Sequence, residues 1–297
     1  MKFLHKFLRA VGFSEYTERK QIQQLIKDVV LHADERSYIS MGDNSLLAEF
    51  DRNFAEGIGI AVCGEFDEED NYAYEYYYPY LRSRIVSTAE DVSVERHAAT
   101  ESYAGICEDP KVGVSLIFYL QNMISYLKYQ NAGHLPVKGT SLNLSALSCQ
   151  GTIMMPIQKT EWQKNKIKKD AVIRNRLIQA ARGGDEDAIE SLTLEDMDTY
   201  TTISKKIQKE DVFTLVDTYF MPYGVECDQY SVLGEILDLK KVTNQITEED
   251  IYIMALNCND LNLQVCINSK DLMGEPAIGR RFRGSVWLQG YINYPND

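Results

Sequence analysis

Five tyrosines at alternate positions, Tyr72, Tyr74, Tyr76, Tyr78 and Tyr80, constrain the local structure of this chain more than any other feature. A spacing of two places all five on one face of an extended strand. Pro79 has no backbone donor for a ladder, so the strand belongs at a sheet edge or close to its own end. Such a row of phenols can serve as a stacking platform for sugars, bases or a peptide, which makes Tyr74, Tyr76 and Tyr78 candidate ligand contacts. It can equally form one wall of a sheet packed beneath a helix.

The same period of two runs from Tyr38 to Cys107, broken by turn residues. It predicts strands near 45–52, 57–66, 72–80, 84–88, 91–97 and 101–107, mostly an antiparallel meander. The acidic run Glu65–Asn71 reads as a hairpin tip, and it lacks the acid spacing around a central glycine of a calcium loop. Helical spacing appears at three places before residue 159. Phe3, Leu4, Phe7, Leu8 and Val11 share a face of residues 2–11, ended by Gly12. Ile22, Leu25, Ile26, Val29 and Val30 mark a helix over 15–33, with Ser14 or Thr17 as its cap. Val114, Ile117, Leu120, Met123, Ile124 and Leu127 mark another over 113–129. A hairpin is expected around Gln150-Gly151.

Residues 159–183 are basic, and residues 185–198 hold seven acids and no base. An amphipathic helix followed by an acidic one suggests that the two neutralise each other as a pair. Beyond them, strands are expected near 211–220, 229–240, 251–258, 261–268 and 282–292, with Asn259-Asp260 as a tight turn. Gly234, Gly284 and Gly290 within these strands suggest a small curved β barrel, OB-like in outline. The expected fold class is therefore α+β: an N-terminal antiparallel meander sheet with helices over 1–158, a helical bridge over 159–209, and a C-terminal barrel over 210–297.

A net charge of −13 disfavours general nucleic-acid or anionic-membrane binding, both of which need a positive field. The six cysteines form no Cys-x-x-Cys pair and sit mostly in apolar runs, as expected of reduced thiols in a cytoplasmic protein. No run of about 20 apolar residues is present, so no transmembrane segment is expected.

Residues 271–290 concentrate glycines, a proline, three arginines and a tryptophan. Arg280, Arg281 and Arg283 are the candidate anion-binding groups, with internal pairing to Glu275 as the alternative. Phe282, Val286 and Leu288 alternate inward, which places Trp287 outside with Arg281 and Arg283 as a stacking or interface residue. For catalysis the weak candidates are His97 with Glu95 on its strand face, and Cys227 between Glu226 and Asp228. No nucleophile elbow, phosphate-binding loop or His-Glu-x-x-His helix occurs, so no metal and no cofactor is expected. The leading expectation is a non-enzymatic binding protein for a protein or small-molecule partner. The alternatives are an enzyme of unrecognised type with an interdomain site, and a binder of oligosaccharide or single-stranded nucleic acid through the C-terminal barrel.

Four stretches carry a family resemblance: Phe7–Ser14, Arg174–Tyr200, Tyr219–Glu235 and Gly279–Gly284. Together they resemble a family of bacterial proteins of similar length known only as a domain of unknown function. The resemblance implies a soluble bacterial protein and carries over no catalytic or binding residue.

Overall fold

The first element of the computed structural model, which describes residues 5–42, 45–96, 102–109, 114–157, 161–194, 197, 216–225 and 227–295, is a 3-10 turn over Lys6–Val11. It stops at Gly12, as expected, in the left-handed conformation that glycine adopts without a Cβ clash. Phe7, Leu8, Ala10 and Val11 are buried, so this terminal segment is docked on the protein's own sheets. Helix α1 (Arg19–Leu31) buries Ile22, Leu25, Ile26 and Val29. Its cap is Glu18 rather than Ser14 or Thr17: the Glu18 backbone N–H donates to Gln21 Oε1 at 3.0 Å in a reciprocal capping box. Ser14 is occupied elsewhere, its hydroxyl donating to Glu249 Oε1 at 2.5 Å.

Strands β1 (Glu35–Ser40), β2 (Leu46–Ala55), β3 (Ile58–Phe66) and β4 (Tyr72–Leu81) form an antiparallel four-stranded sheet in chain order. The β4 strand lies at its edge, where Pro79 does not interrupt a central ladder. The register of β4 overturns the single-faced tyrosine row. Tyr76 pairs with Cys63 and Tyr74 with Gly64, which are consecutive, so Glu75 is an extra residue in the register of β4. Consecutive residues point to opposite faces, and the bulge therefore puts Tyr76, Tyr78 and Tyr80 on one side and Tyr72 and Tyr74 on the other.

The larger sheet is mixed. Its path runs β13 (Leu272–Met273), β8 (Ser141–Met154), β12 (Leu261–Asn268), β11 (Asp250–Cys258), β10 (Gln229–Thr243), β14 (Arg281–Asn293), β7 (Ser115–Leu120), β6 (Tyr103–Glu108) and β5 (Val92–Arg96). A short β9 (Tyr219–Pro222) adds to β10. Strand β8 lies between β14, antiparallel, and β12, parallel. The strands after residue 210 thus do not make a small barrel by themselves: β5 to β8 complete their sheet. A parallel pairing between strands more than a hundred residues apart leaves no local mark in the sequence.

Two further elements differ from expectation. The segment 113–129 holds β7, with Leu116, Phe118 and Leu120 buried in alternation, followed by helix α2 (Met123–Asn131). Dense apolar residues satisfy both periods, and the β-branched and aromatic content of Leu-Ile-Phe-Tyr decides for a strand. Gln150-Gly151 is not a hairpin turn, because β8 runs straight through it. A Cβ on Gly151 would lie 2.3 Å from the Phe282 ring, so the glycine serves close packing rather than a turn. Asn259 and Asp260, with φ of 53° and 63°, do form the tight turn expected between β11 and β12. Helix α3 (Glu161–Arg182) ends at Gly183-Gly184 as expected, and residues 186–194 are helical.

The larger sheet encloses one apolar core, built on Leu144, Leu263, Phe282, Val286 and Leu288. A second core joins the smaller sheet, α1 and the 3-10 turn to Leu147, Cys266 and Trp287 of the larger sheet. Among the described residues, no helix is long and apolar enough to cross a membrane.

Candidate functional site

The face of the smaller sheet bearing Tyr76, Tyr78 and Tyr80 also carries Glu49, Asp51 and Asn53 of β2, by cross-strand register. Small residues lie between the two rows: Gly59 is opposite Tyr80, Ala61 opposite Tyr78 and Cys63 opposite Tyr76. A Cβ on Gly59 would fall 2.3 Å from the Tyr80 hydroxyl, so the ring lies directly over the glycine. Beneath the rings, Glu49 and Asp51 are 6% and 5% exposed. Arg82 forms an ion pair with Asp51, and its guanidinium stacks over Tyr80 at 4.8 Å and Tyr291 at 5.3 Å. Glu49 accepts from the Cys63 thiol at 3.2 Å and lies 3.3 Å from the Tyr78 hydroxyl, which also donates to the Gln121 carbonyl at 3.1 Å.

Burial, with the Asp51 charge added, holds the Glu49 carboxyl well above the usual carboxylate range. Burial also raises Asp51, against the opposing pull of Arg82. The Cys63 thiol and the Tyr76, Tyr78 and Tyr119 hydroxyls are pushed up by burial as well. The cluster is therefore rich in protons and poor in nucleophiles. Beside it, Gln289 Nε2 donates to the Pro79 carbonyl at 2.8 Å, and its Oε1 accepts from Gln121 Nε2 at 2.8 Å and from the Leu81 backbone N–H at 3.3 Å. This network joins the two sheets. Its sequence signal lies in β2, where Glu49 and Asp51 alternate with Leu47 on a face that should be buried.

The other face of β4 builds a cleft. Tyr72 packs edge-on against Phe50 at 4.9 Å, and its hydroxyl donates to the Val62 carbonyl at 3.3 Å. Tyr72 and Tyr74 then face Gln23, Ile26, Lys27, Val30 and Leu31 across an opening of about 500 Å³. Those five helix positions are spaced three, one, three and one apart, so they form a single stripe along α1. Leu31 is left exposed at its end.

The other sequence candidates are scattered. Arg281 is buried, donating from Nε to the Met155 carbonyl at 3.0 Å and from a terminal nitrogen to the Val216 carbonyl at 2.9 Å. It is neither an outward nor a rim group. Arg280 donates to the Glu275 backbone carbonyl at 2.6 Å, while Arg283 is exposed. Trp287 lies on the opposite face from Phe282, Val286 and Leu288, as the spacing requires, but it is covered rather than displayed. Its indole stacks on Phe7 at 5.4 Å and donates to Asp228 Oδ2 at 2.6 Å. The docked 3-10 turn supplies that cover. His97 lies outside the described residues. Glu95 is exposed on β5 and Cys227 is exposed just before β10, with β14, β7 and β6 intervening. At about 4.8 Å per strand, β5 and β10 are roughly 19 Å apart along the sheet.

Comparison with curated proteins and with solved structures returns no match. A family model described as "Domain of unknown function, E. rectale Gene description" matches residues 8–290. The chain belongs to this family, DUF3881.

Proposed function

We propose that this protein is a non-enzymatic binding protein whose ligand enters the cleft between α1 and β4. The observation that carries this reading is the turning of Tyr72 and Tyr74 onto the α1 stripe by the Glu75 bulge. The cleft volume of about 500 Å³ falls in the range of small-molecule sites, roughly 300–1,000 Å³. Ile26, Val30 and Leu31 offer an apolar wall, the two phenols offer flat amphipathic surfaces, and Lys27 and Gln23 can fix one polar end. The buried Glu49 cluster supports the reading indirectly, because it locks the sheet that presents the tyrosines.

The test uses 1-anilinonaphthalene-8-sulfonate, a flat apolar probe with one anionic end. Titration of the full-length protein is expected to give one saturable, fluorescence-enhancing site. Val30→Glu, which places a charge on the cleft wall, is expected to weaken it at least about tenfold, with a modest loss of thermal stability because Val30 also packs against the core. A wild-type protein that gives no enhancement, or a Val30→Glu titration identical to wild type, removes the cleft from consideration.

A further inference from the structure

A second, chemically different depression lies where β9, β10, β14 and β8 run side by side. Ser231 of β10 is the register partner of Ser285 of β14, and Arg283 of β14 is the partner of Thr152 of β8. The Tyr223 backbone N–H donates to the Gln229 carbonyl at 2.9 Å, which holds the chain beside β10 beyond the end of β9. Tyr223 is thereby fixed, half-exposed, at one side of the depression, and Arg283 is exposed within its lining.

Gly151 and Gly284 are register partners that face the core side, where the Phe282 ring occupies the place of both side chains and lets β8 and β14 approach closely beneath the depression. A Cβ on Gly284 would come within 2.7 Å of the Gln150 carbonyl oxygen. Between Gly284 and Val286 the single residue Ser285 of β14 lies opposite two residues of β8, Cys149 and Gln150, a bulge that bends β8 at the edge of the depression. The resulting volume is about 230 Å³, below the range of drug-sized sites and on the scale of a single ring.

The lining selects the chemistry. Thr152, Ser231, Ser285 and Gln150 provide hydroxyl and amide groups that both donate and accept, which suits a ligand carrying several hydroxyls. Arg283 provides a planar fork that matches one carboxylate. The Tyr223 ring provides a flat apolar surface for the C–H face of a sugar. Inorganic phosphate would leave the ring and most hydroxyls unused, and a nucleotide exceeds the volume.

We propose that this depression is a binding site for a single sugar ring bearing a carboxylate, such as a hexuronic acid. Arg283 holds the carboxylate, Tyr223 stacks on the ring, and Ser231 and Thr152 read its hydroxyls. The site is independent of the α1–β4 cleft.

Calorimetric titration and saturation-transfer NMR with D-glucuronate, D-galacturonate and D-glucose test it on the full-length protein. One of the two uronates is expected to bind at least about tenfold tighter than glucose. Arg283→Gln is expected to reduce that uronate to the level of glucose, and Tyr223→Ala to weaken both sugars. Both side chains are exposed, and unchanged thermal unfolding of each variant checks the fold. Tyr74→Ala, in the other cleft, is expected to leave the uronate titration unaltered. Failure of both uronates to bind, equal binding of uronates and glucose, an unaffected Arg283→Gln, or loss of uronate binding in Tyr74→Ala would each overturn the assignment.

Discussion

Glu49 and Asp51 lie two residues apart on one buried face of β2, yet Arg82 bonds to Asp51 while Glu49 is met by the Cys63 thiol and the Tyr78 hydroxyl. Two carboxylates thus share one cation. In a dry site a second unpaired charge costs several kcal/mol, and retaining a proton on Glu49 avoids that cost. Neutral Glu49 then sits among donors and acceptors contributed by β2, β3 and β4, directly against the second sheet.

This arrangement predicts a protein that loses stability as the pH rises. Both carboxyls titrate higher in the folded protein than in the unfolded chain, Glu49 at about 8. The native state therefore holds protons that the unfolded chain has released, and the stabilising contribution fades between the ordinary carboxylate range and about pH 8. The groups facing Glu49 are Asp51, Arg82, Cys63 and Tyr78, with Glu35 acting on Asp51. Urea unfolding at pH 5 and pH 9 should differ by something on the order of 3 kcal/mol, and Glu49→Gln should remove most of that difference. A Glu49→Gln profile parallel to wild type would place the proton elsewhere.

Arg82 and Arg84, two residues apart, should respond very unequally to the same substitution. Arg82→Met strands the Asp51 charge in the interface and should cost about 3 kcal/mol in chemical denaturation. Arg84 is exposed and lies 3.6 Å from the exposed Glu56, so Arg84→Met should cost under about 0.5 kcal/mol. Equal effects would mean that the Asp51 pair is as solvated as the surface one.

Two tryptophans give the docking of the 3-10 turn an optical readout. Trp287 is 5% exposed beneath Phe7, whereas Trp162 on α3 is 71% exposed. Trp162→Phe should leave a blue-shifted emission that moves red on unfolding. Phe7→Ala should shift that emission red in the folded protein and cost about 3 kcal/mol, in line with loss of a buried ring. A red emission already present in Trp162→Phe would contradict the cover.

Most strands were legible because alternation is local: β2, β3, β4, β10, β11 and β12 lie close to where the pattern puts them, and the Asn259-Asp260 turn carries its own backbone signature. What the pattern omits is partnership. Nothing near Leu144 or Val265 indicates that β8 and β12 run parallel, and nothing near Trp287 indicates that Phe7, far away in sequence, lies on it. The β7 segment does not declare itself, because dense apolar residues suit a helix and a strand alike until a partner strand exists. The two acids Glu49 and Asp51 stand at core-facing positions, but their meaning depends on Arg82, which only the hairpin between β3 and β4 brings alongside. For the arginine cluster, spacing identified polar side chains but not which of them the chain folds over, and Arg281 is the one it covers.

The bulge at Glu75 makes the sharpest difference between the sequence pattern and the fold, and one deletion separates them. If the five tyrosines shared a face, removing Glu75 would throw Tyr72 and Tyr74 across the sheet and disrupt the strand. In the observed register, Tyr74 and Tyr76 oppose Gly64 and Cys63, which are consecutive residues. Deleting Glu75 would make Tyr74 and Tyr76 consecutive too, converting the bulged ladder into a regular one with every tyrosine on its present face. Glu75 is exposed, so little packing is lost with it. The deletion should therefore leave stability within about 1 kcal/mol of wild type and preserve probe binding in the α1–β4 cleft. Deleting Ala73 instead would move Tyr72 off Phe50 and Phe66, against which it packs at 4.9 and 5.1 Å, and should cost several kcal/mol. Thermal unfolding and anilinonaphthalene sulfonate titration of the two deletions decide the matter: a destabilised Glu75 deletion beside a tolerated Ala73 deletion would restore the single-faced row.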